Sequence, residues 1–384
     1  MISSKQSWQQ LQSISSRDQS TRGRKPRFGS LIAGVCVAAM YVLSMPQARA
    51  VAFTGAQGWG ANATGGTTKY TVTNLNDSGT GSLRDAVSAS GRDVVFSISG
   101  TITLKSELAV SSNTTIDGTT APSPGITVTG FSTSFSNQSN IIIRNMRFRE
   151  TDTGDEHKCS LQGDTCSNVI IDHCSVEQGR WDCLEITGAS TNVTVQFCII
   201  GEGYDPQNFG FLIDQCTGIS THHNLFVDNQ SRNPKEEGDG QYICNTVYNW
   251  GNAGGLIGGH SAAVWKSDII NNTFLAGPSS TGNFISDCTA TDTWYETNNY
   301  VDTNKNGNPW DGAVAPASDF TAQGVTLVSA AQSNPPVPVT IDSTSHSFDL
   351  ATGGYLGCQP NDATDQRLVG YVKSGGTAGQ IGPP

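Results

Sequence analysis

The chain has 384 residues, of which only 14% are charged and 43 are glycine, and its formal net charge is −11. Sparse charge with abundant Gly, Asn, Thr and Ser favours many short strands and turns over long helices. The acidic balance argues against a general binder of nucleic acid or of an anionic membrane.

At the N-terminus, Arg22, Arg24, Lys25 and Arg27 precede an apolar run from Leu31 to Leu43, and Ala48-Arg49-Ala50 follows as a small-x-small cleavage pattern. Residues 1–50 are therefore expected to be a signal peptide, which makes the mature protein secreted. The apolar run is too short to span a bilayer comfortably. Beyond the leader, 15 basic residues face 32 acidic ones, a net charge of −17. A polyanionic partner then needs a local basic group or a bound cation. Nine of the ten cysteines lie beyond the leader. That odd number leaves any pairing open, and most sit inside strand-like runs, where buried packing is the simplest role.

A repeat organises the middle of the chain. Thr114-Thr115-Ile116-Asp117-Gly118 is the first copy, followed by runs beginning at Ile141, Val169, Val193, Ile219, Gln241, Ser267 and Trp294. Successive starts are 27, 28, 24, 26, 22, 26 and 27 residues apart. Each run is short and bounded by Gly, Asn, Ser or Asp, as a strand between turns is. No amphipathic helix separates them, which excludes the helical crossovers of a doubly wound sheet. A stacked coil of several strands per turn meets both conditions, and the fold class is expected to be an all-β parallel β-helix. Asn145, Asn224, Asn272 and Asn299 fall at or beside matching turn positions and read as a structural ladder. Cys174 and Cys198 occupy equivalent interior places. The period fades near residue 316, so residues 51–315 are expected to form the β-helix and residues 316–384 a C-terminal segment that packs on or caps it.

Several ordered segments resemble one family. Ala52-Phe53-Thr54-Gly55-Ala56-Gln57-Gly58-Trp59-Gly60, Val72 to Gly79, and Gly81-Ser82-Leu83-Arg84-Asp85-Ala86-Val87 resemble the opening of the polysaccharide lyase family 1 pectate lyases of bacteria and fungi. Ile171-Asp172-His173-Cys174-Ser175, His222-His223-Asn224-Leu225-Phe226, Ser231-Arg232-Asn233-Pro234 and Asp362 to Val369 are similar to later segments of that family. The resemblance implies a right-handed parallel β-helix and β-elimination of polygalacturonate, a pectin component, to unsaturated oligogalacturonides. It also implies Ca²⁺ as cofactor and an acidic polysaccharide as partner, with no nucleic acid and no membrane; a monomer is expected.

Residue by residue, the resemblance implies Arg232 as the catalytic base. Arginine is an unusual base because its ordinary pKa exceeds ~12, so catalysis is set against a simple carboxylate clamp and placed ahead of it. Lys235 and His222 are assigned to substrate binding, with His222 and His223 alternating in the face they present. Asp182, Glu185 and Asp155 are the candidate metal ligands, hard oxygen donors suited to Ca²⁺. The sequence departs from the family pattern in three places. Trp181 stands where an acid is expected, His157 and Cys159 stand at an acidic pair, and Glu237, beside Glu236, replaces an arginine. Asp182 and Glu185 are therefore either ligands or solvated turn acids. A catalytically altered β-helix that binds or cleaves a different plant-wall or acidic polysaccharide is the alternative reading.

Overall fold

A computed structural model describes residues 50–150, 159–382 and 384. The expected leader, apart from Ala50, lies outside the described residues, and so do Asp152, Asp155, Glu156, His157 and Lys158. The chain winds as a parallel β-solenoid. Its strands belong to a 17-stranded sheet and a 10-stranded sheet. The larger sheet is creased into two faces where Phe209–His222 and Lys235–Ile243 each run through a corner with register shifts. The cross-section therefore has three sides, called here the first sheet (the repeated runs), the second sheet (the 10-stranded one) and the third sheet.

The repeat in the sequence is the first sheet. Ile141, Val169, Val193 and Ile219 stand in register on successive coils and are fully buried. Ile142 and Ile170 point the other way, as period-two alternation requires. They are buried as well, because the N-terminal segment lies over them with Ala56, Ala61 and Ala63. That approach needs Gly60, whose added Cβ would sit 2.0 Å from the Val169 carbonyl oxygen.

The corner from the first to the second sheet carries two columns. One holds left-handed residues, with Asn145, His173, Phe197, His223, Cys244, Asn271 and Asn298 all near φ +50°. Its His173, Phe197 and His223 rings stack at 5.1 Å centroid spacing, a contact that offsets the cost of φ > 0 for bulky residues. The next residue along forms the amide ladder. Asn224, Asn245, Asn272 and Asn299 are linked by Nδ2–H···Oδ1 bonds of 3.0, 3.1 and 2.9 Å. Cys198 continues the ladder by donating its N–H to Asn224 Oδ1. Asn145 is not a member. It bonds both the N–H and the carbonyl of Gln359, while Asn245 supplies the rung assigned to no residue from the sequence. All nine described cysteines are free thiols, and Cys288 alone among them is not buried.

Past residue 316, Thr326–Leu327 still adds a parallel strand to the first sheet beside Thr293 and Trp294, and later helices lie against the solenoid. Helices Thr344–Gly353 and Ala363–Lys373 press Phe348, Ala351, Leu368, Val369 and Val372 onto Ile199, Leu225, Val227, Tyr248 and Leu275 of the second sheet. Asp362 caps the later helix in a capping box with Asp365. Buried charges reinforce the seam. Arg149 bonds Glu177 at 2.5 Å and Asp362 at 2.6 Å, while Arg147 meets Asp365 at 3.2 Å.

Asp228 lies in the same region, 1% exposed, with Oδ1 accepting from Asn249 and Oδ2 unpartnered. Burial, opposed by the Asn249 and Gln380 hydrogen bonds and aided by nearby Glu202, pushes its carboxyl up to about 7. The folded protein therefore holds a proton there that the unfolded chain gives up near ~4. Stability falls as pH rises between those values, by up to about 4 kcal/mol, and stays low above the folded pKa. Asp228→Asn is expected to raise the unfolding midpoint at pH 8 and to leave it nearly unchanged at pH 4. A variant-to-parent difference that does not grow with pH in thermal unfolding would refute this.

Candidate active site

The third sheet bears the charged face. Its outward column runs Gln162, Glu185, Leu212, Lys235 and Ile257 on consecutive coils. Two residues further along the strands, Asp214 and Glu237 are paired neighbours.

Arg232 enters this face from the turn before strand Lys235–Ile243. Its φ is +59° and the following Asn233-Pro234 peptide is cis. The guanidinium lies 4.2 Å over the Phe209 ring and donates from Nη1 to Asp182 Oδ2 at 2.8 Å. Such a planar cation held by a ring on one face and a carboxylate at its edge has little freedom. Asp182 is fully buried, and its Oδ1 has no hydrogen-bond partner. Burial pushes the carboxyl up to about 8 against the opposing pull of Arg232, and Glu185 adds to the rise.

Cys159, Asp182 and Glu185 each place a donor atom within 4.8 Å of the others. Cys159 Sγ donates to Glu185 Oε2 at 3.2 Å, and Thr187 donates to Oε1 at 3.1 Å. Burial, then the charges of Asp182 and Glu185, hold the Cys159 thiol well above its usual range, so it is a neutral group. A hard cation such as Ca²⁺ requires oxygen ligands. The bare Asp182 Oδ1 and the Glu185 carboxylate fit that need, and the thiol does not.

Lys235 meets Glu237 at 2.7 Å and Asp214 at 4.0 Å. Glu237 is partly desolvated, yet the bonds from Lys235 and the Ser261 N–H prevail and bring its carboxyl down to about 2. The charge reversal at position 237 is thus absorbed by Lys235 inside the face.

Of the residues assigned from the sequence, Arg232, Asp182, Glu185 and Lys235 come together on this face. Asp155 lies outside the described residues. The assignment of His222 to substrate is corrected. It is 0% exposed on the first sheet, with Nδ1 2.9 Å from His223 Nδ1 and Nε2 unpartnered. His222 stands in the outward column of the first sheet, in register with Gln196 and Ile243, and is buried there under covering chain, while His223 at the corner bonds Asp342. Phe209, the platform for Arg232, carries no sequence signal; only register reveals it, through its pairing with Asp182. Cys159 was visible as a departure at an acidic position, but not as a bonding partner of Glu185.

Residues 27–337 match the family model described as pectate lyase. The Aspergillus fumigatus (strain CBS 144.89 / FGSC A1163 / CEA10) protein named "Probable pectate lyase C" is 41% identical over 333 residues, covering 86% of this chain and 79% of its own. The protein of that name from Aspergillus terreus (strain NIH 2624 / FGSC A1156) is 39% identical over the same shares. Among solved structures, the thermostable pectate lyase PL 47 superposes with a TM-score of 0.58 at 14% identity, covering 82% of this chain and 99% of that one. At that identity the likeness concerns the fold.

Proposed function

The chain belongs to the pectate lyase family and is a polysaccharide lyase, and from that premise we propose that it cleaves polygalacturonate on the third sheet with Arg232 as base. The observation that carries this reading is the fixed Arg232 guanidinium, stacked on Phe209 and tied to a buried carboxylate beside Glu185.

In β-elimination the C5–H bond breaks, its electron pair becomes the C4–C5 double bond, and the C4–O4 bond breaks. The departing oxygen takes a proton from solvent. Neutral Arg232 receives the C5 proton at a guanidine nitrogen, which requires alkaline conditions. Lys235 exchanges its bond to Glu237 for a substrate carboxylate. Phe209 and Asp182 keep the guanidine in one orientation, which limits the entropy lost in reaching the reactive geometry. Asp182 and Glu185 would hold Ca²⁺, which would neutralise the sugar carboxylate. The protein acts as a secreted monomer after loss of residues 1–50.

The test is formation of unsaturated uronide from polygalacturonate with added Ca²⁺ and with a chelator. Product that vanishes with chelator supports the metal-dependent reaction. Glu185→Gln removes one of two carboxylates and is expected to raise the Ca²⁺ needed for half-maximal rate by about tenfold or more. An unchanged Ca²⁺ requirement would remove Glu185 from the ligand set. No unsaturated product at any alkaline pH would defeat the substrate assignment.

A further inference from the structure

Cys159 has no part in the elimination, yet it stands among the groups that carry it. The side chain is fully buried, and its Sγ lies 3.2 Å from Glu185 Oε2. Sulfur and one carboxylate oxygen each from Asp182 and Glu185 fall within 4.8 Å of one another, a convergence of such donors found nowhere else among the described residues. A separate observation points to a ligand. Asp182 is 0% exposed, and its Oδ1 has no hydrogen-bond partner while Oδ2 is held by Arg232. An oxygen sealed from water and left bare is unfavourable unless something binds it.

The sulfur decides which cation the trio suits. Ca²⁺ fills a large shell with oxygen alone. Zn²⁺ accepts a smaller, tetrahedral set that mixes thiolate with carboxylate, at about 2.3 Å to sulfur and about 2.1 Å to oxygen. Donors at those lengths stand about 3.4–3.6 Å apart. The 3.2 Å between Cys159 and Glu185 is already close to that, and the wider separations need only modest contraction. Charge agrees as well. A thiolate and two carboxylates balance a divalent ion and the adjoining Arg232 guanidinium charge for charge, which a buried cluster requires. Glu185 is only partly buried, which leaves a side by which the ion enters.

We propose that Cys159, Asp182 and Glu185 bind Zn²⁺, and that this ion displaces Ca²⁺ from the same two carboxylates and arrests the lyase. The binding stands on the donor set alone; the arrest rests on the lyase reading given above. As sulfur donates its electron pair to the metal, the thiol proton passes to solvent, and nothing is oxidised or reduced. Three protein donors leave a tetrahedral ion one open position, where the larger shell of Ca²⁺ leaves several for the sugar carboxylate.

Cobalt as a spectroscopic stand-in for zinc tests this on the full-length protein. The expected result is a sulfur-to-cobalt charge-transfer band that saturates at one Co²⁺ per chain, disappears on adding Zn²⁺, and is absent from Cys159→Ser. The other cysteines remain in that variant and serve as its control. By calorimetric titration, Zn²⁺ is expected to bind Cys159→Ser about tenfold or more weakly than the parent. In the uronide assay, added Ca²⁺ relieves the inhibition by Zn²⁺, and Cys159→Ser needs about tenfold or more Zn²⁺ for the same effect. Should Cys159→Ser disturb folding, Glu185→Gln carries the test: the band persists, and Co²⁺ binds about tenfold or more weakly. No band in the parent, a band that survives in folded Cys159→Ser, or Co²⁺ affinity unchanged in Glu185→Gln would overturn the site. Zn²⁺ that occupies the site without slowing an active enzyme would overturn the arrest. A parent that forms no uronide defeats the lyase reading, and the cobalt band still decides the site.

Discussion

Replacing Arg232 with lysine is expected to lower the turnover of uronide formation by about 10²–10⁴-fold, the range of a lost general base. KM is expected to change far less. Lysine keeps the positive charge beside buried Asp182, so the variant remains folded. It cannot reproduce the planar group that lies on Phe209 and reaches Asp182 at 2.8 Å. If Arg232 only clamps a substrate carboxylate, the loss falls mainly on KM and turnover is retained. The pH profile separates the roles further. An ammonium base loses its proton at lower pH than a guanidinium, so the residual activity of Arg232→Lys is expected to rise at lower pH than that of the parent. Arg232→Ala is less informative by itself. It also removes the partner of the fully buried Asp182 carboxyl, so a loss of stability is mixed with the loss of the base.

Arg149→Met is expected to cost about 3–5 kcal/mol of folding free energy without touching the third sheet. Arg149 is 8% exposed and answers three carboxylates, those of Glu177, Asp362 and Asp365. Glu177 and Asp365 are fully buried, so water does not replace the lost cation. Burial and the proximity of Asp365 already push Glu177 well above the ordinary glutamate range despite the pull of Arg149. Without that pull it takes up a proton, which limits the loss. Urea unfolding near neutral pH measures the difference. Pairing Arg149→Met with Glu177→Met is expected to recover a large part of the cost, because the uncompensated charge goes with it. A loss under about 1 kcal/mol for the single variant would mean that the cluster behaves as an exposed ion pair does.

The two expectations differ in how visible their residues were beforehand. Arg232 stands in Ser231-Arg232-Asn233-Pro234, a segment whose family likeness marks it at once. Arg149 carries no such mark. It becomes important because the capping Asp362, more than two hundred residues later, folds back beside it. The same distinction separates Glu237 from its sequence reading. An acid at that position looks like a reversed charge in a site for a polyanion, but the strand places it within 2.7 Å of Lys235.

The sequence by itself determined the solenoid, because parallel coils repeat one apolar spacing and the spacing of Ile141, Val169, Val193 and Ile219 is a property of the chain alone. It determined the turn chemistry as well, since Asn tolerates the left-handed corner whatever lies beyond it. Only the tertiary structure decided which residue of each corner faces outward. His222 and His223 are adjacent in sequence; His223, at φ +54°, bonds Asp342, and His222 stands in the outward column yet is sealed from solvent by the chain that covers it. It also decided that Asn245 and not Asn145 belongs to the amide ladder, because a shift of one place around the corner selects a different column. The Phe209 platform, the Cys159–Glu185 bond and the buried charges under the C-terminal helices are all contacts between coils or between distant segments. Their partners are set by stacking register and burial, and neither leaves a trace in local spacing.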